Sequence, residues 1–547
     1  MNYYKDRPLV VQSDFTVLLE AKHPDFEEVR GTLARFADLV KSPEHIHTYR
    51  ISPLTIWNAA AAGCSEEESV TFLQNHAKLD IPKLILDEIR QSFKRYGMVL
   101  MEAAEDREDE LLLTIGDPEL LKDLLSYPSL EPYRLRQVDS NRLQFPSVYR
   151  GTLKQELTRL GFPVEDAAGY HQGEFLDVSL RTESASGHAF RLREYQQEAA
   201  DSFYRSGRKL EGSGVLVLPC GAGKTVVGIT AMSRTKCATL ILTTNVTSVR
   251  QWKREILDKT GLTEREVGEY AGSVKEVRPV TIATYQILTY RKSKDDAFVY
   301  MNLFNERDWG LIIYDEVHLL PAPVFRVTAD IQATRRLGLT ATLVREDGRQ
   351  EDVFSLVGPK RYDMPWKELQ RQGWIADVEC SEILVGLPDR ERDRYAASEP
   401  KQQIRIAGEN PLKAEVVLRL VEKHQGQPTL IIGQYLDQLK KLAYATGAPM
   451  ISGEMPHEAR EAVYSDFKSG AVKLLVVSKV ANFAVDLPDA KVAIQVSGSF
   501  GSRQEEAQRL GRILRPKPGD NKGYFYSLVS KDTKEHDFAV NRQLFFS

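Results

Sequence analysis

Cysteine is scarce in this chain: four in 547 residues, at Cys64, Cys220, Cys237 and Cys380, with no C-x-x-C pair among them. That argues against a structural zinc, an iron–sulfur cluster and a disulfide framework. No apolar run approaches the ~20 residues of a bilayer span, so no membrane segment is expected. The opening Met1-Asn2-Tyr3-Tyr4-Lys5-Asp6 lacks the apolar core of a secretory signal, and a cytoplasmic location is expected. Neither sign of charge dominates: 73 Lys and Arg face 77 Asp and Glu, for a net charge of −4. The chain is therefore no polybasic polyanion binder, although a local basic groove can be offset by acidic surface elsewhere. Short repeats and low-complexity tracts are also lacking.

What is present in bulk is ordinary for a soluble globular protein, with 42 % hydrophobic and 27 % charged residues. The length predicts three or four domains with ample core.

Residues 1–127 read as a mostly helical accessory domain. Ser65-Glu66-Glu67-Glu68 is a capping box that opens a helix towards Asn75. A second helix is expected from Pro82 to Tyr96. Met98–Met101 and Leu111–Thr114 read as two strands joined by the acidic stretch 102–110. Helices followed by a hairpin resemble a winged helix. A small α/β accessory domain is the favoured reading, because the would-be wing is acidic and repels phosphate. Residues 128–185 read as a small α+β domain with one helix, about Thr152 to Leu160, ended by Gly161. Ser184-Ala185-Ser186-Gly187 reads as a linker.

From about residue 190 buried-strand runs alternate with helical stretches. The strands expected first are Val215–Leu218, Thr239–Leu242, Val280–Ala283, Leu311–Tyr314 and Leu337–Leu339. A second series comes at Thr429–Ile432, Lys473–Val477, Val492–Val496 and Tyr524–Leu528. Two tandem α/β domains with doubly wound parallel sheets are expected, at 186–370 and 371–547.

Only the first carries Leu218-Pro219-Cys220-Gly221-Ala222-Gly223-Lys224-Thr225, between a strand and a helix. Gly221, Ala222 and Gly223 let backbone N–H groups approach phosphate oxygens, and the helix N-terminus adds positive potential. Lys224 can neutralise β and γ phosphates, and the Thr225 hydroxyl can hold Mg²⁺. The strict motif wants glycine where Leu218 stands, so the context must carry the assignment. Tyr314-Asp315-Glu316-Val317-His318 supplies it, as apolar residues running into a Walker B pair. Asp315 would hold Mg²⁺ and Glu316 would deprotonate the attacking water. Together these segments predict hydrolysis of a nucleoside triphosphate, with ATP and Mg²⁺ as cofactors.

Three further segments fit the same chemistry. Thr340-Ala341-Thr342 follows the next strand and can link the nucleotide to a moving domain. Gln508-Arg509-Leu510-Gly511-Arg512-Ile513-Leu514-Arg515 places Arg512 and Arg515 on one helical face, where they could reach a γ-phosphate. Arg193-Glu194-Tyr195-Gln196 offers Gln196 to an adenine edge and Arg193 beside it.

The order of these segments resembles the superfamily 2 helicases, with Trp252 and Thr284-Tyr285-Gln286 in their expected places. More narrowly it resembles the XPB family of DNA helicases. Arg345-Glu346-Asp347 after Thr342 matches that family's RED motif. Gly358–Tyr362, Glu368–Gln370, Ser478–Val480, Asp486–Pro488, Gln504–Arg515, Ile46–Arg50 and Leu54–Ala59 also match.

The resemblance spans essentially the whole chain. It implies two RecA-like helicase domains behind an α+β accessory region and ATP-dependent 3′ to 5′ unwinding or translocation of DNA. It further implies a role in nucleotide excision repair or promoter opening, and a nuclease partner. Residues 128–185 resemble a damage-recognition domain, and a thumb-like insertion is expected near 390–406. Arg345, Glu346 and Asp347 would act at a strand-separation fork. Gln508 would join the nucleotide contacts. Thr284, Thr340, Thr342 and Arg503, with Lys253, would contact DNA or couple it to ATP. The chain departs from the family at Ala481-Asn482-Phe483-Ala484, where members carry Gly-Asp and hydroxyl residues, so some coupling groups are absent.

The expected partner is single-stranded or forked DNA, handled by a monomeric motor. A double-stranded DNA translocase, an ATP-switched scaffold for a nuclease, and an RNA helicase remain as alternatives. Intact Glu316, Arg512 and Arg515 argue against the scaffold.

Overall fold

The computed structural model describes residues 3–536 except 42–44, 105–106, 108, 220, 294–295, 342–347, 479–489 and 498–520. The chain forms two compact units, divided mainly between Met364 and Pro365. Among the described residues no helix is long and apolar enough to cross a membrane.

The first unit starts with a sheet that the sequence did not suggest. Leu9–Val11, Thr16–Glu20, Ile46–Arg50 and Asp38–Lys41 lie side by side in that order. The first three pair antiparallel. The expected helices come next, at Glu66–His76 and Lys83–Arg95. The first opens on the expected box: Ser65 Oγ accepts the Glu68 N–H at 3.1 Å, and Glu68 Oε2 accepts the Ser65 N–H at 3.3 Å.

The boundary expected at 127 runs through a second sheet. Val99–Ala103 and Glu110–Ile115 form the expected antiparallel pair, but Glu110–Ile115 pairs onward with Arg142–Pro146. Arg136–Gln137 and Val164–Asp166 complete this sheet of five. The division fails because a strand's partner is set by pairing at a distance, which local composition does not encode.

The helix Arg150–Arg159 closes that sheet and seats it on two later helices of the same unit. A Cβ on Gly151 would stand 2.2 Å from the Ala329 carbonyl oxygen, so only glycine permits the approach to the helix Ala322–Asp330. Gln155 Nε2 donates to Asp352 Oδ1 at 2.9 Å on the helix Gln350–Leu356. Asn58 Oδ1 accepts the Lys360 N–H at 2.8 Å. The 184–187 stretch is no free linker either. Ser186 N–H donates to Asp258 Oδ1 at 3.0 Å, and Ala185 N–H donates to the Asp258 carbonyl at 2.8 Å.

One buried carboxylate ties the helix Arg150–Arg159 to the accessory sheet. Asp166 receives Arg150 Nη2 at 2.9 Å and Lys154 Nζ at 2.7 Å. Burial would raise the Asp166 carboxyl, but Lys154 and Arg150 overrule it and hold it far below the carboxylate range. Burial pushes the Lys154 ammonium down to about 7, helped by Arg336 and Arg150.

Among the described residues the large sheet of the first unit has eight strands. In spatial order they are Val274–Lys275, Val267–Ala271, Val280–Thr284, Thr239–Thr243, Leu311–Asp315, Arg335–Thr340, Ser213–Val217 and Lys360–Asp363. All neighbours are parallel except the first pair. Its central strands are continuous buried apolar runs, as parallel pairing with covered faces requires.

Among the described residues of the second unit, six parallel strands run Asp377–Val385, Lys522–Ser530, Val492–Gln495, Thr429–Gly433, Leu474–Ser478 and Met450–Ile451. Residues 390–406 lie in two short helices, Asp389–Ala396 and Pro400–Gly408. A buried ion pair ties this unit's C-terminal segment inward: Lys413 Nζ meets Glu535 Oε2 at 2.7 Å and also donates to the Val496 carbonyl at 2.9 Å.

Asp166→Asn leaves two buried cations without their counter-charge. The variant is expected to lose about 3–5 kcal/mol of stability, read as a lowered urea midpoint. An unchanged midpoint would mean that Arg150 and Lys154 find other partners.

Candidate active site

The nucleotide loop is shaped by the strand before it and the helix after it. The chain leaves Ser213–Val217 at Leu218, whose N–H donates to the Thr340 carbonyl at 2.9 Å. It then turns through Gly221 and Gly223 with φ of 84° and 79°, values that L side chains avoid. A Cβ on Gly223 would also lie 2.6 Å from Gln196 Nε2. The backbone conformation favours glycine there, and a side chain would displace the Gln196 amide. The loop runs directly into the helix Lys224–Thr235. The N–H groups of its first turn open onto the loop, where an anion is favoured.

Leu311–Asp315 delivers the acidic pair. It lies one strand away from Ser213–Val217, with Arg335–Thr340 between them. All three strands are parallel. The glycine loop, Glu316 and Ala341 thus emerge from the carboxyl ends of neighbouring strands, where α/β sheets bind ligands.

Asp315 and Glu316 point to different partners. Asp315 Oδ2 accepts Trp252 Nε1–H at 2.9 Å, and Oδ1 accepts the Glu316 N–H at 3.1 Å. Tyr285 Oη–H donates to the Asp315 carbonyl at 2.9 Å. Glu316 Oε1 lies 3.1 Å from Lys224 Nζ, and Oε2 lies 3.6 Å from His318 Nδ1. Glu316 has φ 50° and ψ 54°. This left-handed conformation is costly for a non-glycine residue and clusters at functional sites. Here it separates the directions of two consecutive carboxylates.

Burial and the neighbouring Glu316 charge push the Asp315 carboxyl up to about 6, against the pull of Lys224 and Trp252. Burial would raise Glu316 too, but Lys224, His318 and the Ala341 N–H hold it below its ordinary value. Glu316 is therefore ionised at neutral pH, as a base must be.

The remaining expected residues divide into three groups. Gln196 is buried against Gly223, and its Oε1 accepts the Arg193 N–H at 3.1 Å, while Arg193 Nη1 donates to Tyr195 Oη at 3.0 Å. Thr340 is fully buried, with Oγ1 2.6 Å from His318 Nδ1, the same nitrogen that lies 3.6 Å from Glu316 Oε2. Thr225 stands on the first turn of the loop helix.

Thr284 and Lys253, expected at DNA, are engaged otherwise. Thr284 is 3 % exposed, and its hydroxyl caps the helix Tyr285–Leu288 by accepting the Ile287 N–H at 3.2 Å. Lys253 lies 2.7 Å from Glu264 and 3.4 Å from Glu269, which offset its charge. Thr342, Arg345, Glu346, Asp347, Arg503, Gln508, Arg512 and Arg515 lie outside the described residues.

Sequence reading missed three contributors. Trp252 is 1 % exposed, and a Cβ on Gly228 of the loop helix would stand 2.5 Å from its ring. It therefore joins that helix to Asp315. Tyr285 and the Ala341 N–H were visible only as letters in motifs. A buried Trp placed after a strand was the one available signal.

Asp315 and Thr225 offer hard oxygen donors that fit Mg²⁺. Among the described residues no group of three His, Cys, Asp or Glu side chains could hold a metal. A cation here would draw its other ligands from phosphate and water.

Three family models match parts of the chain. They are the ERCC3/RAD25/XPB C-terminal helicase at residues 369–547, the type III restriction enzyme res subunit at 189–345, and a helicase conserved C-terminal domain at 9–139. Over 542 residues the chain is 50 % identical to the DNA 3′-5′ helicase XPB of Kineococcus radiotolerans, covering 99 % of this chain and 95 % of that protein. The chain belongs to the XPB family of DNA helicases. The XPB helicase of Mycobacterium tuberculosis is likewise 50 % identical, with 99 % and 96 % covered. The Saccharomyces cerevisiae general transcription and DNA repair factor IIH helicase/translocase subunit XPB/SSL2 is 29 % identical over 610 residues, with 99 % of this chain and 71 % of that protein covered. This XPB-family chain is accordingly a nucleotide-hydrolysing superfamily 2 helicase that binds DNA.

An aspartate normally titrates at 3.8, whereas folded Asp315 titrates at about 6. Between those values the folded chain holds the extra proton, so this group's contribution to stability falls as pH rises through the window. Asp315→Asn removes the charge. It is expected to stabilise the nucleotide-free chain by up to about 3 kcal/mol at pH 8 and to change little near pH 4. Thermal midpoints at the two pH values check this. Equal gains at both would exclude charge as the cause.

Proposed function

We propose that the chain is an ATP-driven 3′ to 5′ DNA motor acting in DNA repair, with Lys224, Asp315 and Glu316 at its centre. The observation that carries the chemistry is the 3.1 Å pair of Lys224 with Glu316 at the mouth of the glycine loop. Phosphates entering the loop compete for the Lys224 ammonium. Glu316 is then released to take a proton from water aimed at the γ-phosphorus. Asp315 stays fixed by Trp252 and, with Thr225, would hold Mg²⁺, which when bound neutralises phosphate charge. Gly221, Ala222 and Gly223 cradle the phosphates, while Arg193 and Gln196 border the base.

Arg512 and Arg515, with Gln508, are assigned to the nucleotide's phosphates in this reading. Charge developing at the transition state makes such an arginine worth about 10³–10⁵ in rate. Loss of the γ-phosphate contacts reopens the site, and alternate grip on one strand gives a step. Thr340 relays the state of Glu316 through His318. Thr342, Arg345, Glu346, Asp347 and Arg503 couple that state to DNA. Family resemblance supports these assignments, together with a nuclease partner; monomeric action and a cytoplasmic location complete the proposal.

ATP hydrolysis is to be measured without nucleic acid and with single-stranded DNA, fork DNA or RNA. Stimulation by DNA alone, weakening with salt, is expected. No turnover on any substrate would sink the autonomous motor. Glu316→Gln is expected to lower kcat by about 10²–10⁴-fold while ATP binding persists. A parallel loss of binding would reassign Glu316 to holding Lys224 in place.

A further inference from the structure

The rim of the first helicase-type sheet also carries a group of rings that no step above uses. Val267–Ala271 runs parallel to Val280–Thr284, so both strands end at the same edge. Tyr270 stands near the end of the first, and Tyr290 comes after the short helix Tyr285–Leu288 that succeeds the second. Tyr270 packs against the domain core. Its ring meets Tyr300 edge-on, with centroids 6.0 Å apart. Tyr300 lies 6.1 Å from Tyr290, the planes inclined by 34°. The Lys275 ammonium lies 5.5 Å from the Tyr270 centroid and 5.2 Å from that of Tyr300. The Val299 N–H donates to the Tyr290 carbonyl at 3.0 Å and closes the loop between the two outer rings. The rings form a ladder from core to solvent, with Tyr290 50 % exposed at its outer end.

We infer that this ladder is a base-stacking platform for single-stranded DNA, with Tyr290 as its outermost step. The inference rests on the DNA-motor reading above and adds a subsite to it. A ring face stacks on any base, so such a contact tolerates sequence, as a translocating motor requires. Edge-on packing and the shared cation hold the inner rings in place. Less side-chain freedom is therefore lost when a base arrives.

Exposed Arg291 and Lys292 follow Tyr290 and suit the phosphates of a strand, which leaves the ring face of Tyr290 for its bases. The ring's own contribution is a contact between apolar faces and is accordingly insensitive to salt, unlike a phosphate contact.

The test compares the full chain with Tyr290→Ala and Tyr290→Phe. Fluorescence anisotropy is read on an oligothymidylate and on an abasic strand of equal length. Tyr290→Ala is expected to weaken binding to the oligothymidylate about tenfold. It should leave abasic binding, the salt slope and ATP hydrolysis without DNA unchanged. Tyr290→Phe keeps the ring and is expected to bind as the parent does. Equal loss on both strands, or no loss on either, overturns the platform. If the unaltered chain binds neither strand, the DNA-motor reading itself falls.

Discussion

Two consecutive carboxylates buried beside one ammonium are the constraint around which the first helicase-type domain is arranged. Two such charges at adjacent positions repel, and burial penalises both. The chain separates them by turning Glu316 into the left-handed region, so that each faces its own partners. Glu316 takes Lys224 and the neighbourhood of His318 and Ala341, whereas Asp315 takes the Trp252 indole. Each partner comes from a different element, so the loop, its helix, the next helix and the next strand must all be in register. Glycine at 228 is a consequence, because a Cβ there would stand 2.5 Å from the ring whose N–H reaches Asp315.

The same site explains the strand order. Ser213–Val217 and Leu311–Asp315 must present their ends close together, yet Ala341 must still donate to Glu316. Placing Arg335–Thr340 between them meets both demands. The Leu218 N–H bond to the Thr340 carbonyl then fixes the start of the glycine loop to the strand that feeds Ala341. Motifs far apart in sequence become three adjacent strand ends.

Local signals in the sequence were legible and long-range ones were not. The glycine loop, the Asp315–Glu316 pair and the Ser65 box each declare themselves within a few residues, because their chemistry is local. The central parallel strands also showed as apolar runs. Outer strands such as Val267–Ala271 and the edge strand Lys360–Asp363 did not, since partly covered strands mix polar with apolar residues. The N-terminal sheet was missed for a related reason: Leu9–Val11 and Thr16–Glu20 are short, and Thr16–Glu20 finds its second partner at Ile46–Arg50. Nothing in the string Thr284-Tyr285-Gln286 shows that the threonine hydroxyl caps a helix. Nor could spacing reveal that Trp252 donates to Asp315, because that bond crosses between elements.

Gly151 leaves no room for slip between the accessory region and the first helicase domain. The helix Arg150–Arg159 touches Ala322–Asp330 at backbone distance and holds Gln350–Leu356 through Gln155. These features make it a welded strut, with no joint at which one body could pivot on the other. Any load on the accessory sheet is borne directly by those two helices, and the sheet and the first helicase domain belong to one compact unit.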